Sequence, residues 1–224
     1  MTFLIAGHPR GGTLWMAGVM RRLGYQVGHE HAIRHYYHPD QLLDGEASWT
    51  VALWEDMYPP DWPILHIIRN PLDVTRSSYQ LGAPNKQLAE IGDGERTAHC
   101  PTVHTTDDPL LRAIRFYLCW WEKNLELEHN HPYMSTQIEH LDEKQLGIIA
   151  RFLTGDTHPV YALTWALSLR KDYNSSTERH MERYPNGPWP APIPRSVFAK
   201  KIEPYPEGID LLRLTRTLGY PTGP

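Results

Sequence analysis

The hydrophobic pattern of this chain alternates between short continuous apolar runs and apolar positions spaced three and four residues apart, the mark of buried strands alternating with amphipathic helices. The first run, Phe3-Leu4-Ile5-Ala6, breaks at Gly7 into a glycine-rich turn. Beyond it Trp15, Val19 and Leu23 fall at i, i+4 and i+8, which predicts a helix over 13–23 with Gly24 as its left-handed stop. Tyr25-Gln26-Val27 reads as a short strand, and Ile64-Leu65-His66-Ile67-Ile68 as a buried one. Asn70 then supplies an N-cap, Pro71 the first helical position, and Asp73 a carboxylate at N3 able to reach back to the cap. Asp108-Pro109 opens a helix with Leu111, Ile114, Leu118, Trp121 and Leu125 on one face. A strand over 134–138 precedes a helix over 142–153 stopped by Gly155, and a last helix over 207–218 turns Leu211, Leu214 and Leu218 inward. Strands alternating with helices make an α/β fold around a central parallel sheet, with ligands at the carboxyl ends of its strands.

Three stretches break the rhythm. Residues 28–61 are mixed and rich in histidine and aromatics, with Asp44-Gly45 as a turn signal and a short apolar element over 49–54. The stretch from about 80 to 108 is a long polar loop, either a functional lid or a disordered insertion, and it is the leading candidate for an acceptor-binding surface. From Pro185 to Pro206 seven prolines exclude regular helix or central strand and imply an extended wrap or lid. No internal repeat is visible, and residues 1–224 read as a single domain.

Composition narrows the partners. An apolar content of 41% supports a globular core, and a formal charge of −4 gives no electrostatic footprint for nucleic acid or an anionic membrane. No apolar run approaches a membrane span, and the chain opens directly on its first strand, so the expectation is a soluble, cytoplasmic protein without a signal peptide. Cys100 and Cys119 are too few for a disulfide framework and are expected to be reduced. Thirteen histidines include no complete ligand set at a recognised spacing, so no metal site is expected.

The chemistry concentrates at two strand-to-helix junctions. In Gly7-His8-Pro9-Arg10-Gly11-Gly12-Thr13-Leu14-Trp15 the glycines let backbone N–H groups approach an anion, the following helix aims its positive dipole end at the same point, and Arg10 adds a full charge. Gly7 and Gly12 have Walker A spacing, but Thr13 stands where the lysine belongs, which counts against a nucleoside-triphosphate kinase. In Arg69-Asn70-Pro71-Leu72-Asp73-Val74-Thr75-Arg76-Ser77, Arg69 ends a strand and offers a forked guanidinium, and the Ser77 hydroxyl is a second donor for the same phosphate.

The first segment resembles the 5′-phosphosulfate loop of sulfotransferases, Pro-Lys/Arg-Ser-Gly-Thr-x-Trp/Leu, with Gly11 departing from the usual serine. The second is similar to that family's 3′-phosphate motif, Arg-[Asn/Asp]-Pro-x-Asp-x-x-x-Ser. The resemblance is strong over these motifs and loose over 109–155. It implies a three-layer P-loop-like fold and transfer of a sulfuryl group from 3′-phosphoadenosine 5′-phosphosulfate to a hydroxyl or amine, leaving adenosine 3′,5′-bisphosphate. The implied donor site is Arg10, Gly11, Gly12, Thr13, Leu14, Trp15, Arg69 and Ser77, with Arg10 also stabilising the leaving phosphate. Glu30 is the first choice for general base, after the short strand where several subgroups place a catalytic glutamate, and His29 and His31 compete with it. The family's late Arg-Lys-Gly element has only a partial counterpart in Arg170-Lys171-Asp172. Two readings remain beside it: a magnesium-dependent P-loop kinase, and a nucleotide-binding domain without turnover. The acceptor, a small molecule or glycan, and the oligomeric state are left open.

Overall fold

The computed structural model describes residues 2–29, 43–53, 55–80, 99–169 and 193–222. In chain order they form β1 (Phe3–Gly7), α1 (Thr13–Arg22), β2 (Val27–His29), β3 (Gly45–Ala47), β4 (Ile64–Ile68), α2 (Pro71–Gln80), α3 (Pro109–Glu126), β5 (Tyr133–Gln137), α4 (Glu143–Thr154), α5 (Val160–Leu167), α6 (Arg195–Ile202) and α7 (Pro206–Thr217).

The five strands make one all-parallel sheet in the order β2-β3-β1-β4-β5. Alternate residues of β1 serve opposite faces. Phe3 and Ile5 pack with α1, α4 and α5, while Leu4 and Ala6 pack with Val51, Tyr58 and Leu127. On that second side α2, α3, α6 and α7 share a further core around Leu72, Ile114, Tyr117, Phe198 and Leu211. The result is helix, sheet, helix: the three-layer α/β arrangement that the alternation of periods implies.

Most element boundaries agree with the sequence reading to within a residue or two. Asp108 caps α3 by accepting from the N–H groups of Leu110 and Leu111, and Asp142 with Gln145 forms a capping box on α4. Five expectations are corrected. The short strand after α1 is 27–29 rather than 25–27. Asp44-Gly45 is not a turn but the entry to β3: Gly45 pairs in register with Phe3, and a Cβ there would collide with the Phe3 ring. The proline-rich stretch contains α6, because Pro194 and Pro204 flank a proline-free run rather than interrupting it. Asp73 does not reach back to its cap; its carboxylate takes a two-pronged contact from Arg195, at 3.1 and 2.6 Å, and a third from Arg76.

The fifth correction concerns the cysteines. A 3₁₀ turn over Pro101–Thr105 folds back on α3 and brings the Cα atoms of Cys100 and Cys119 to 6.0 Å, where they form a disulfide among Trp49, Val103, Phe116 and Trp120. Two cysteines are too few to scaffold a domain, but the count says nothing about whether they meet. Among the described residues no helix is long and apolar enough to cross a membrane.

Candidate functional site

β1 and β4 are neighbours, yet the chain leaves them in opposite directions, from β1 towards β2 and from β4 towards β5. Their carboxyl ends therefore flank a topological switch point, where an open α/β sheet leaves a crevice for ligand. Both basic motifs sit there.

After β1 the chain makes a four-residue turn, His8-Pro9-Arg10-Gly11, closed by the Gly11 N–H donating to the His8 carbonyl at 2.7 Å. Proline at the second position and positive φ at the third give it a type II pattern. The third residue is Arg10, with φ 70°, and among the described residues no other non-glycine has positive φ. Holding an arginine there costs about 1 kcal/mol, the kind of strain that collects at functional turns. A Cβ on Gly11 would stand 2.6 Å from the His8 carbonyl oxygen and 3.2 Å from its nitrogen. The serine usual in the resembled motif has no room in this turn, which is why glycine stands there.

Gly12, at φ 103°, starts α1, and as glycine it has no side chain to cap the first-turn N–H groups at the dipole's positive end. Thr13 is buried, with Oγ1 3.3 Å from His29 Nε2 at the carboxyl end of β2. Leu14 is partly exposed, whereas the Trp15 side chain lies in the core, so Trp15 offers an anion only its backbone.

Arg69 follows β4, and its Nη1 donates to the Arg10 carbonyl at 3.3 Å. Its Nε lies 3.9 Å from Glu139, which follows β5. Glu139 in turn accepts from the Asn70 N–H at 3.0 Å and from the Tyr220 hydroxyl at 2.8 Å. Asn70 caps α2 through Oδ1 on the Leu72 N–H at 3.0 Å. Ser77 is half-buried on α2, about 9 Å of helical rise beyond Pro71.

The floor of the crevice is buried and uncharged. His8 stacks on Tyr117 at 4.6 Å and meets the edge of Phe116 at 5.3 Å, and burial lowers its pKa to about 3. His66 on β4 is pushed to about 3 by burial, helped by His8 nearby. Burial, joined by its bond to Glu139, raises Tyr220 well above the ordinary phenol range, so it stays a donor.

The structure thus brings Arg10, Gly11, Gly12, Thr13, His29 and Arg69 to one end of the sheet, with Ser77 on the adjoining helix. Glu30, His31, Arg170 and Lys171 lie outside the described residues, as does 81–98, the core of the expected acceptor surface. Sequence reasoning passed over His8, Glu139 and Tyr220. The cue for Glu139 was its place at a strand's carboxyl end; nothing local marks Tyr220. Compared with protein-family models and with curated proteins, the chain matches none.

Proposed function

We propose that this chain is a sulfotransferase that uses 3′-phosphoadenosine 5′-phosphosulfate and transfers its sulfuryl group to a hydroxyl or amine of a small-molecule or glycan acceptor. The observation that carries the reading is the meeting of two basic junctions at one switch point, Arg69 bonded to the backbone of Arg10.

The residues present fit such a donor. Glycines at positions 11 and 12 leave the backbone between the turn and α1 without side chains, and the Arg69 guanidinium reaches the Arg10 backbone at the crevice. When bound, the donor supplies an activated sulfuryl group whose departure leaves charge on its 5′-phosphate. Arg10 and the α1 N–H groups stabilise that charge, an arrangement preorganised by the strained turn. Arg69, helped by Ser77, takes the second phosphate, which a nucleoside triphosphate lacks at that position.

Proton removal from the acceptor falls to Glu30, with His29 and His31 as the competing bases. His29 already reaches the turn through Thr13. Incubation with labelled donor and a metabolite extract, read by mass spectrometry for products heavier by one sulfuryl group, tests the reading. The variants Glu30→Gln, His29→Ala and His31→Ala then separate the three candidates. Absence of any sulfated product, with the bisphosphate still bound, would leave the domain a nucleotide binder.

A further inference from the structure

The turn carrying Arg10 rests on a cavity of about 10 Å³ whose lining includes His8, His66, Arg69, Tyr117 and Asn124. That is room for about one water-sized sphere. Two polar atoms of these residues, His8 Nε2 and Asn124 Oδ1, are buried and have no hydrogen-bond partner among the described residues. Their residues are 7% and 1% exposed, so bulk solvent does not satisfy them.

The hydrogen-bond bookkeeping fixes what they need. His8 Nδ1 lies 2.6 Å from the Pro9 carbonyl and the ring also makes a backbone contact with Phe116; the short bond to a group that only accepts puts the ring proton on Nδ1. Burial keeps the imidazole neutral, leaving Nε2 a lone-pair acceptor. The Asn124 amide nitrogen donates to the Trp120 carbonyl at 2.7 Å, which fixes Oδ1 as the other acceptor. Two acceptors do not satisfy each other; a ligand between them must present two donors. Arg69 lines the same cavity, and its positive charge disfavours a cation.

We propose that this cavity binds a single water molecule that donates one hydrogen to His8 Nε2 and the other to Asn124 Oδ1. His66 lines the same cavity, its Nδ1 within 2.6 Å of the Tyr133 hydroxyl. About two to four hydrogen bonds are the usual complement of a buried water. The water ties the turn to α3, so the strained Arg10 conformation is held from beneath.

A crystal structure of the full chain that resolves ordered waters, with nitrogen NMR of the histidine rings, tests this. The expected result is one density peak within about 2.7–3.2 Å of both His8 Nε2 and Asn124 Oδ1, and a His8 ring protonated on Nδ1. A cavity without density, a peak that scatters as a metal, or a His8 proton on Nε2 overturns the proposal. A double-mutant cycle adds a solution readout. His8→Phe and Asn124→Leu each leave the water one partner short, a cost that the double variant incurs only once, so the double variant should be more stable, by about fivefold or more in its folding equilibrium, than the product of the single effects. Strict additivity contradicts the bridge. Should a variant fail to fold, the density and the tautomer of the unmodified protein still decide.

Discussion

Arg69 donates to the backbone carbonyl of Arg10 at 3.3 Å, across 59 residues of sequence. The bond links the end of β4 to the strained position of the turn after β1, so the Arg69 guanidinium is held against that turn before any anion arrives. Its acceptor belongs to the residue whose φ is 70°, and the contact helps hold that conformation.

Loss of Arg69 should therefore act on affinity more than on fold. Arg69→Ala is expected to weaken adenosine 3′,5′-bisphosphate binding by about 2–3 kcal/mol, the range of a charge-assisted phosphate contact, and Ser77→Ala by less. Titration calorimetry checks this; unchanged affinity in both would remove the 3′-phosphate assignment.

Restoring the serine of the resembled motif should damage this loop. Gly11→Ser places a Cβ 2.6 Å from the His8 carbonyl oxygen, a backbone atom that moves only with the turn. The expected cost is about 1–3 kcal/mol in stability, with weaker bisphosphate binding. Thermal melting measures it, and a serine variant as stable as the parent would contradict the close approach.

The two strand-to-helix junctions were legible because local chemistry decides them: Asn70-Pro71 caps α2, and glycines open the first turn. β3 was hidden because Gly45 answers to Phe3, a residue distant in sequence that only the sheet brings beside it. Helix α5 showed no period because it is apolar nearly all round, with Tyr161 and Trp165 exposed and Arg22 lying over the Trp165 ring at 5.1 Å. The roles of Glu139 and Tyr220 depend on β5 and the chain's end meeting β4, which no local spacing encodes.

Acid should destabilise the protein early. His8 and His66 titrate at about 3 when folded, against about 6.5 when unfolded, so the unfolded chain takes up protons first. Their contribution is intact above pH 6.5 and is lost as pH falls towards 3, at about 1.4 kcal/mol per pH unit for each ring. Melting curves from pH 7.5 to 4.5 should fall steeply below 6.5, and His66→Phe should roughly halve the slope; a flat profile would mean that neither ring is buried as described.

Reduction should be felt as well. The Cys100–Cys119 bond joins residues 19 apart, and closing such a loop is worth about 3 kcal/mol in the chain-entropy view. A thiol reductant, or Cys100→Ser with Cys119→Ser, should lower the melting temperature by about 6–12 °C for a chain of this size. A melting temperature indifferent to reductant would place no weight on the bond.

The most direct test of the central claim is calorimetric titration of the full chain with adenosine 3′,5′-bisphosphate and, separately, with ATP and magnesium. Two phosphates on opposite sides of one ribose match Arg10 with the α1 N-terminus on one hand and Arg69 with Ser77 on the other. The bisphosphate is predicted to bind at least about tenfold tighter, a difference of about 1.4 kcal/mol, and to lose that advantage in Arg69→Ala. Preference for ATP with magnesium would contradict the sulfotransferase reading and make the first turn a kinase loop.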